Sequence, residues 1–320
     1  MRAVTVTADH RLTASDVPEP IPAPGEVLVD VIAAGVNRAD LAQAAGSYPP
    51  PPGASPLLGL EVSGRRRDTG EEVVALLAGG GYAETVAVPE AHLLPVPRGL
   101  SSIEAAGLVE VAATVVSNLV IEGGLPAGAY EAMPGTRPTV LIHGGTGGIG
   151  AFAIQFARSC GARVLTTVGS DEAIATAARL GADRTWNRRT TDIFDAVLAE
   201  GGADIVLDVV GGSALAGNVR VLREFGRLLV IGTLGGTTGD LDLGALMARR
   251  ARIIATTLRS RGVEDKARIL RRTHELVWPM IEDGSIVVPV QQVLPLEEAE
   301  RAHAVLRDGG HLGKVILEVR

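Results

Sequence analysis

The residues best placed to do chemistry run Gly145-Thr146-Gly147-Gly148-Ile149-Gly150. They follow the apolar run Thr139-Val140-Leu141-Ile142-His143 and open a segment whose Ile149, Phe152, Phe156 and Cys160 fall on one helical face. Glycine makes up 40 of the 320 residues, so the G-x-G-x-x-G match draws its weight from this strand-before, helix-after setting. There, Gly145 permits a tight turn, Gly147 lets the backbone approach a pyrophosphate, and Gly150 lets helix and strand pack closely. The helix N-terminus turns free N–H groups and a positive dipole end towards the phosphates of a dinucleotide.

NAD or NADP is decided near the end of the second strand, where an acidic side chain would hold a ribose 2′-hydroxyl. That strand ends Thr167-Val168-Gly169-Ser170, and Asp171 then begins the helix Glu172–Leu180, so capping competes with ribose binding as its role. Arg188 or Arg189, after the third short strand, offers positive charge to a 2′-phosphate, and the sequence leans towards NADPH over NADH. Cys160 reads as core and not as a nucleophile, with no cationic neighbour at helical spacing. His143 reads as a hydrogen-bonded structural residue, while His10, His92, His274, His303 and His311 show no metal-ligand spacing and take no role.

The elements that must hold this loop repeat a beat of β-branched run, turn and helical pattern at Thr139–His143, Arg163–Val168, Ala203–Val210, Arg227–Thr233 and Arg252–Leu258. Such alternation predicts a doubly wound parallel sheet of Rossmann type. The first third is different: short strands such as Glu26–Ile32 and Thr85–Val88 are broken by Pro and Gly, including the extended run Pro49-Pro50-Pro51-Pro52. A mostly β domain therefore precedes the α/β one, with Asp68-Thr69-Gly70 as a hairpin tip and Pro126 to Pro138 as a surface connection. A helix at Glu264–Glu282, a strand at Val287–Val293, a helix at Leu296–Arg307 and a strand at Lys314–Val319 follow, and periodicity leaves their docking open.

A chain of 320 residues exceeds the roughly 250 at which single cores stop growing, so two domains are expected. Hydrophobic residues reach 46% with only 3% aromatics, which suits helix-covered sheets built from Ala, Val, Leu and Ile. A formal charge of −7 argues against nucleic acid or an anionic membrane as partner and leaves small-molecule chemistry. One cysteine permits no internal disulfide, and no signal core or uncharged 18-residue apolar stretch is present, so a cytoplasmic location is expected.

The stretches Ala34-Gly35-Val36-Asn37-Arg38-Ala39-Asp40, Gly46-Ser47-Tyr48-Pro49-Pro50-Pro51-Pro52-Gly53, Leu58-Gly59-Leu60-Glu61, Gly79-Gly80-Gly81-Tyr82-Ala83-Glu84, His143 through Gly150, Thr257-Leu258-Arg259-Ser260-Arg261 and His311-Leu312-Gly313-Lys314 run across nearly the whole chain. In that order they resemble the medium-chain dehydrogenases/reductases, and within them the zinc-free quinone oxidoreductase, zeta-crystallin-like branch. The resemblance implies a GroES-like substrate domain over residues 1–114, a Rossmann domain over 115–258, and a C-terminal segment, 259–320, that returns to the first domain. Zinc-dependent members carry a Cys before an Asp, and a Gly-His-Glu, where this chain has Asn37-Arg38-Ala39-Asp40 and Gly59-Leu60-Glu61. A zinc site needs three protein ligands of His, Cys or carboxylate character, and this position does not supply them. The expectation is a zinc-independent enzyme that reduces acceptors already polarised by conjugation.

The resemblance further implies that Asn37 and Tyr48 face substrate and nicotinamide, that Thr114 contacts the carboxamide, and that Gly232, Thr233, Leu258, Arg259 and Lys314 line the cofactor with Gly169 and Ser170. The family often has Lys in Ser-x-x-Lys after the second strand and Tyr in Asn-Tyr-Arg after the third; this chain has Ala173 and Arg188, which alters the 2′-phosphate clamp. The strand pair around Ser63–Val73 also looks shorter than in relatives, and the segment before Val140 longer.

For an enone or enoyl thioester a placed proton donor helps, and Tyr48, neutral at pH 7, is the candidate in the first domain; packing against the neighbouring prolines is its competing role. Three functions follow: an NADPH-dependent quinone or α,β-unsaturated carbonyl reductase, a 2-enoyl thioester reductase, and a non-catalytic cofactor-binding protein with a structural or RNA-associated role. The resemblance also implies a homodimer or homotetramer.

Overall fold

The computed structural model describes residues 1–127, 137–310 and 312–320. Most of the Pro126 to Pro138 connection lies outside the described residues, as does His311. The chain divides into a first unit of Met1–Ala113, Leu258–Glu282 and Val288–Arg320 and a second of Thr114–Thr257 and Asp283–Val287.

The first unit opens with a hairpin of β1 (Arg2–Val6) and β2 (Leu12–Asp16). A mixed sheet follows from β3 (Glu26–Val36), β4 (Glu61–Arg66), β5 (Glu72–Leu76), β6 (Thr85–Pro89) and β7 (Leu93–Pro95). Asp68-Thr69-Gly70 turns β4 into β5, as expected. Helix α1 (Arg38–Ala44) leaves the end of β3 directly. Helices α2 (Ser102–Ala105) and α3 (Val109–Val115) and the π-helical turn Val116–Glu122 form an apolar run of mean hydropathy 1.6, 78% buried, which carries the chain into the second unit at Thr114. Small and β-branched side chains fill the sheet's inner face, among them Val29, Val31, Ala34, Val62 and Ala75.

The second unit holds β8 (Thr139–His143), α4 (Gly148–Ser159), β9 (Arg163–Val168), α5 (Glu172–Arg179), β10 (Arg184–Asn187), α6 (Ile193–Ala199), β11 (Ala203–Asp208), α7 (Leu215–Val221), β12 (Leu222–Val230), α8 (Leu243–Ala248) and β13 (Arg252–Ala255). All six strands pair in parallel, in the order β10-β9-β8-β11-β12-β13, which is the Rossmann arrangement. The order reverses beside β8, and the crevice outside the carboxyl ends of β8 and β11 is where such sheets bind ligands.

Several strand bounds are corrected: the run from Glu26 extends to Val36, that from Ala203 ends at Asp208, and the strand near Val287–Val293 is Val290–Pro295. The fifth strand begins at Leu222, not Arg227, because it pairs through Ala203↔Leu222, bulges out with Phe225 at φ 63°, and resumes at Ile205↔Arg227. The sixth ends at Ala255, not Leu258. Cys160 is also corrected: it caps the C-terminus of α4 and is only half-buried, because the helical face ends one residue before it.

The tail then returns to the first unit through α9 (Val263–Glu282), β14 (Val290–Pro295), α10 (Ala299–Asp308) and β15 (Lys314–Glu318). Strand β15 pairs antiparallel with β3 and parallel with β14, so the last strand of the chain completes the first sheet.

Candidate functional site

In the second unit the glycine loop is shaped by β8 and α4. A methyl group on Gly145 would sit 2.3 Å from Thr166 Oγ1, and one on Gly150 would sit 2.1 Å from the Gly144 carbonyl, so both positions are closed to larger residues by packing. Gly147 differs. It caps α4 with φ −70° and ψ 170°, angles open to any residue, and a methyl group there would find no atom nearer than 3.6 Å. Neither backbone nor packing requires glycine at this position, whereas a phosphate seated on the helix N-terminus would. The loop therefore fits a pyrophosphate, with Thr146, Gly148 and Ile149 beside it.

The remaining candidates of this unit lie at the same carboxyl end of the sheet. Gly169 and Ser170 follow β9, and Arg188, after β10, brings Nη1 to 2.9 Å from where a Gly169 Cβ would be. Asp171 neither caps α5 through its side chain nor stands open: its Oδ1 accepts from Asn187 Nδ2 at 2.9 Å. The side-chain capping weighed for it gives way to this pairing, and Arg188 stands beside it at the end of β9. Gly232 and Thr233 follow β12 and pack on the loop after β11, which Asp208 pins by accepting from Val210 and Gly211 N–H at 2.8 and 3.0 Å. Thr114 is buried at the start of the unit. His143 is the structural residue expected, its ring between Asn218 Oδ1 at 2.8 Å and Thr167 Oγ1 at 3.2 Å.

In the first unit Asn37, Tyr48, Leu258, Arg259 and Lys314 belong to one body. Asn37 caps α1 and lies inside a polar group buried among apolar strands. Lys314 Nζ donates to Asn37 Oδ1 and to Glu61 Oε1, each at 2.6 Å. Asn37 Nδ2 donates to Glu61 Oε1 at 3.0 Å and to Gly35 O at 3.4 Å, and Glu61 Oε2 accepts from Glu110 N–H at 2.9 Å. An ammonium only donates and a carboxylate only accepts, so the Asn37 amide has one possible orientation. The chain makes room for this group with two glycines: a methyl on Gly35 would sit 2.4 Å from Glu61 Oε1, and one on Gly107 would sit 3.0 Å from Lys314 Cγ.

Asp40 extends the group inward. Its carboxyl accepts from Asn37 N–H at 2.8 Å, Gly59 N–H at 3.0 Å and Tyr82 Oη at 3.2 Å, yet burial raises its pKa to about 6. Tyr82 Oη in turn lies 3.3 Å from His303 Nε2. With the single phenolic proton given to Asp40, His303 must supply the Nε2 proton, and burial lowers its pKa to about 4, which leaves the ring neutral at pH 7. Asp40, Glu61, Tyr82 and His303 are the residues that sequence reading missed. The Glu retained in Gly59-Leu60-Glu61 was the available signal, whereas nothing local marked His303.

The sign of these shifts gives a test. His303, at about 4 against 6.5 unfolded, contributes stability that is full above pH 6.5 and lost on falling to pH 4, roughly 3 kcal/mol. Asp40, at about 6 against 3.8, contributes stability that is full below 3.8 and lost as pH rises through 6. The two oppose across the same window. His92 and His143, whose pKa values burial also lowers, cost both proteins stability on the way down, so His303→Gln should lose less stability than the parent between pH 6.5 and pH 4. Urea midpoints at the two pH values decide it, and parallel curves for the two proteins would refute the assignment.

Tyr48 is half-buried with Arg259 over its ring at 5.2 Å. Burial and the nearby Glu110 raise its pKa, against Arg259, so it is a neutral donor at pH 7. Arg259 is buried and ties three segments together, through Gln43 Oε1 at 2.6 Å, Ala78 O at 2.8 Å and Tyr48 O at 3.1 Å. Leu258 precedes it, half-buried.

The position at which zinc-dependent relatives place their ligands holds an amide whose donors are spent, the apolar Leu60, and a carboxylate already bonded to an ammonium. That set does not fit zinc, because the ammonium repels a dication and only one charged oxygen donor is offered.

Residues 148–274 match the family model described as "Zinc-binding dehydrogenase", and residues 23–79 that of "Alcohol dehydrogenase GroES-like domain". The chain is 30% identical to the quinone oxidoreductase of Thermus thermophilus, solved also in complex with NADPH, with TM-score 0.85 and both chains covered fully. It is 31% identical to an NAD-dependent alcohol dehydrogenase structure, at TM-score 0.83 and with full coverage of both. The Mus musculus quinone oxidoreductase is 28% identical over 95% of this chain and 92% of its own. The chain also matches a phenolphthiocerol/phthiocerol polyketide synthase of Mycobacterium tuberculosis, at 30% identity over 92% of its length, and spans 14% of that much longer protein.

Proposed function

The chain belongs to the medium-chain dehydrogenase/reductase family of oxidoreductases, in its quinone oxidoreductase branch, and from that premise we propose that it transfers a hydride from NADPH to a quinone or other small α,β-unsaturated carbonyl without zinc. The observation that carries this reading is the buried Lys314–Glu61–Asn37 group, which leaves no donor set for zinc at the family's ligand position. Oxidation of an unactivated alcohol needs a Lewis acid, whereas a conjugated acceptor is already polarised.

When bound, the dinucleotide supplies the hydride. In the proposed reaction Gly145 to Ile149 seat its pyrophosphate, Arg188 with Gly169 and Ser170 meets the 2′-phosphate, and Gly232, Thr233, Leu258 and Arg259 flank it. Thr114 is assigned to the carboxamide, Asn37 and Tyr48 to the acceptor, with Tyr48 giving a proton where the product is an enolate. The enoyl thioester reading draws on the match to the polyketide synthase. A homodimer is supported by β13, an edge strand beside the exposed Phe225, Leu243 and Met247. A cytoplasmic location follows from the soluble small-molecule reading, with no nucleic acid or membrane partner.

The test is an NADPH-oxidation screen over ortho-quinones, para-quinones, enones and crotonyl thioesters, with NADH run in parallel and zinc measured in the same preparation. Quinone or enone turnover, a lower Michaelis constant for NADPH and less than stoichiometric zinc are expected. Tight cofactor binding with silence on every acceptor would favour the non-catalytic role; turnover of the thioester alone would make it an enoyl reductase.

A further inference from the structure

We propose that Lys314 is a catalytic residue whose ammonium donates a hydrogen bond to the acceptor oxygen as negative charge develops there; this rests on the reading that the acceptor is reduced beside Asn37.

The argument is an inventory of donors. An ammonium has three N–H groups. In Lys314 two are spent, on Glu61 Oε1 and Asn37 Oδ1, and the third has no acceptor among the described residues. The Lys314 side chain is 4% exposed, so water does little to satisfy it, and a buried charged donor with an open N–H is costly unless something accepts from it. Asn37 cannot take this role. Both hydrogens of its amide are directed at Glu61 and Gly35, and only a lone pair on Oδ1 remains, which an oxyanion would avoid.

The site is built to aim this one donor. Glu61 is fixed by Glu110 N–H and by the space that Gly35 leaves, Gly107 gives passage to the Lys314 stem, and Asn37 is held from behind by Asp40. A preorganised charge in a dry site stabilises a developing oxyanion without reorganising. The electron balance is simple: the hydride brings an electron pair to the acceptor carbon, the π pair moves onto oxygen, and a proton from Tyr48 or water completes the reduction. Lys314 gives a hydrogen bond and not a proton. It would supply the positive charge that zinc supplies in other members of the family.

The probe is 4-nitrophenol, a phenol whose ionisation is read by its absorbance without turnover. Bound to the parent protein saturated with NADP+, it should ionise about tenfold or more readily than in free solution, as an anion beside a fixed cation does. Lys314→Arg should keep that effect. Lys314→Met combined with Glu61→Gln, which leaves no carboxylate buried alone, should abolish it and lower quinone kcat by about 100-fold, the usual consequence of losing one oxyanion donor, with NADPH Kd within threefold. Nitrophenol that does not bind, or that ionises alike in parent and double variant, overturns the proposal. A tenfold weaker NADPH Kd with nitrophenol ionisation unchanged overturns it too, and assigns the ammonium to a cofactor phosphate. A silent acceptor screen with the nitrophenol effect intact would sink the reductase reading and not the ammonium's action on oxyanions.

Discussion

Gly147→Val should weaken NADPH binding by about 100-fold or more, equivalent to about 3 kcal/mol, while the melting temperature falls by no more than about 5 °C. The two halves of this expectation come from different observations. The backbone angles of Gly147, φ −70° and ψ 170°, suit a side chain, and among the described residues beyond its chain neighbours the nearest atom to where a Cβ would be is Gly144 O, at 3.6 Å. Glycine is a better N-cap than valine by about 1 kcal/mol, so the fold should lose only that much. A pyrophosphate resting on the N-terminus of α4 has every reason to, because added methyls would stand between it and the free N–H groups.

Gly150→Ala is the control with the opposite signature. Its Cβ would lie 2.1 Å from the Gly144 carbonyl, so it should lower the melting temperature as well as cofactor affinity. Fluorescence titration with NADPH, beside thermal melts followed by circular dichroism, separates the two. An unchanged NADPH Kd in Gly147→Val would remove the loop as the cofactor's seat.

The parallel sheet was legible because five of its six strands carry a short β-branched run, β10 being the exception, and the crossover rule then fixes how they lie. Where a strand bulges the signal fails: Arg223-Glu224-Phe225-Gly226 loops out of β12, and its polar residues and glycine hide the first half of that strand. The return of the tail was legible only through family resemblance. Its pairing of β15 with β3 joins opposite ends of the chain, and no local pattern encodes such a partner.

The same holds for the site. The glycine loop announces itself within six residues, but Lys314 meets Asn37 across 277 positions and Glu61 across 253. Family resemblance placed Lys314 beside the cofactor, and reading residues one at a time left His303 and Asp40 without a role. Their significance lies in shared protons and lone pairs, which only a three-dimensional neighbourhood can reveal.

That shared chemistry carries the largest expected effect on stability. Removing Glu61 with an alanine should destabilise the first unit by about 3–5 kcal/mol, the range for breaking one side of a buried ion pair, and lower its melting temperature by roughly 10 °C. Glu61 is wholly inaccessible, so its loss strands the Lys314 ammonium, the Asn37 amide hydrogen and the Glu110 N–H together. Water cannot readily replace it in a pocket lined by β3, β4 and β15. The attraction between the pair is not itself the source of that loss, since a buried ion pair often gains little over well-packed apolar residues. Glu61→Leu with Lys314→Met should therefore recover most of the stability that Glu61→Ala loses, while restoring no quinone turnover. A double variant as unstable as the single one would mean that packing around Glu61, and not its charge, holds the unit together. A double variant that folds and still turns over quinone would show that the pair is kept for structure, and would withdraw the ammonium from the chemistry.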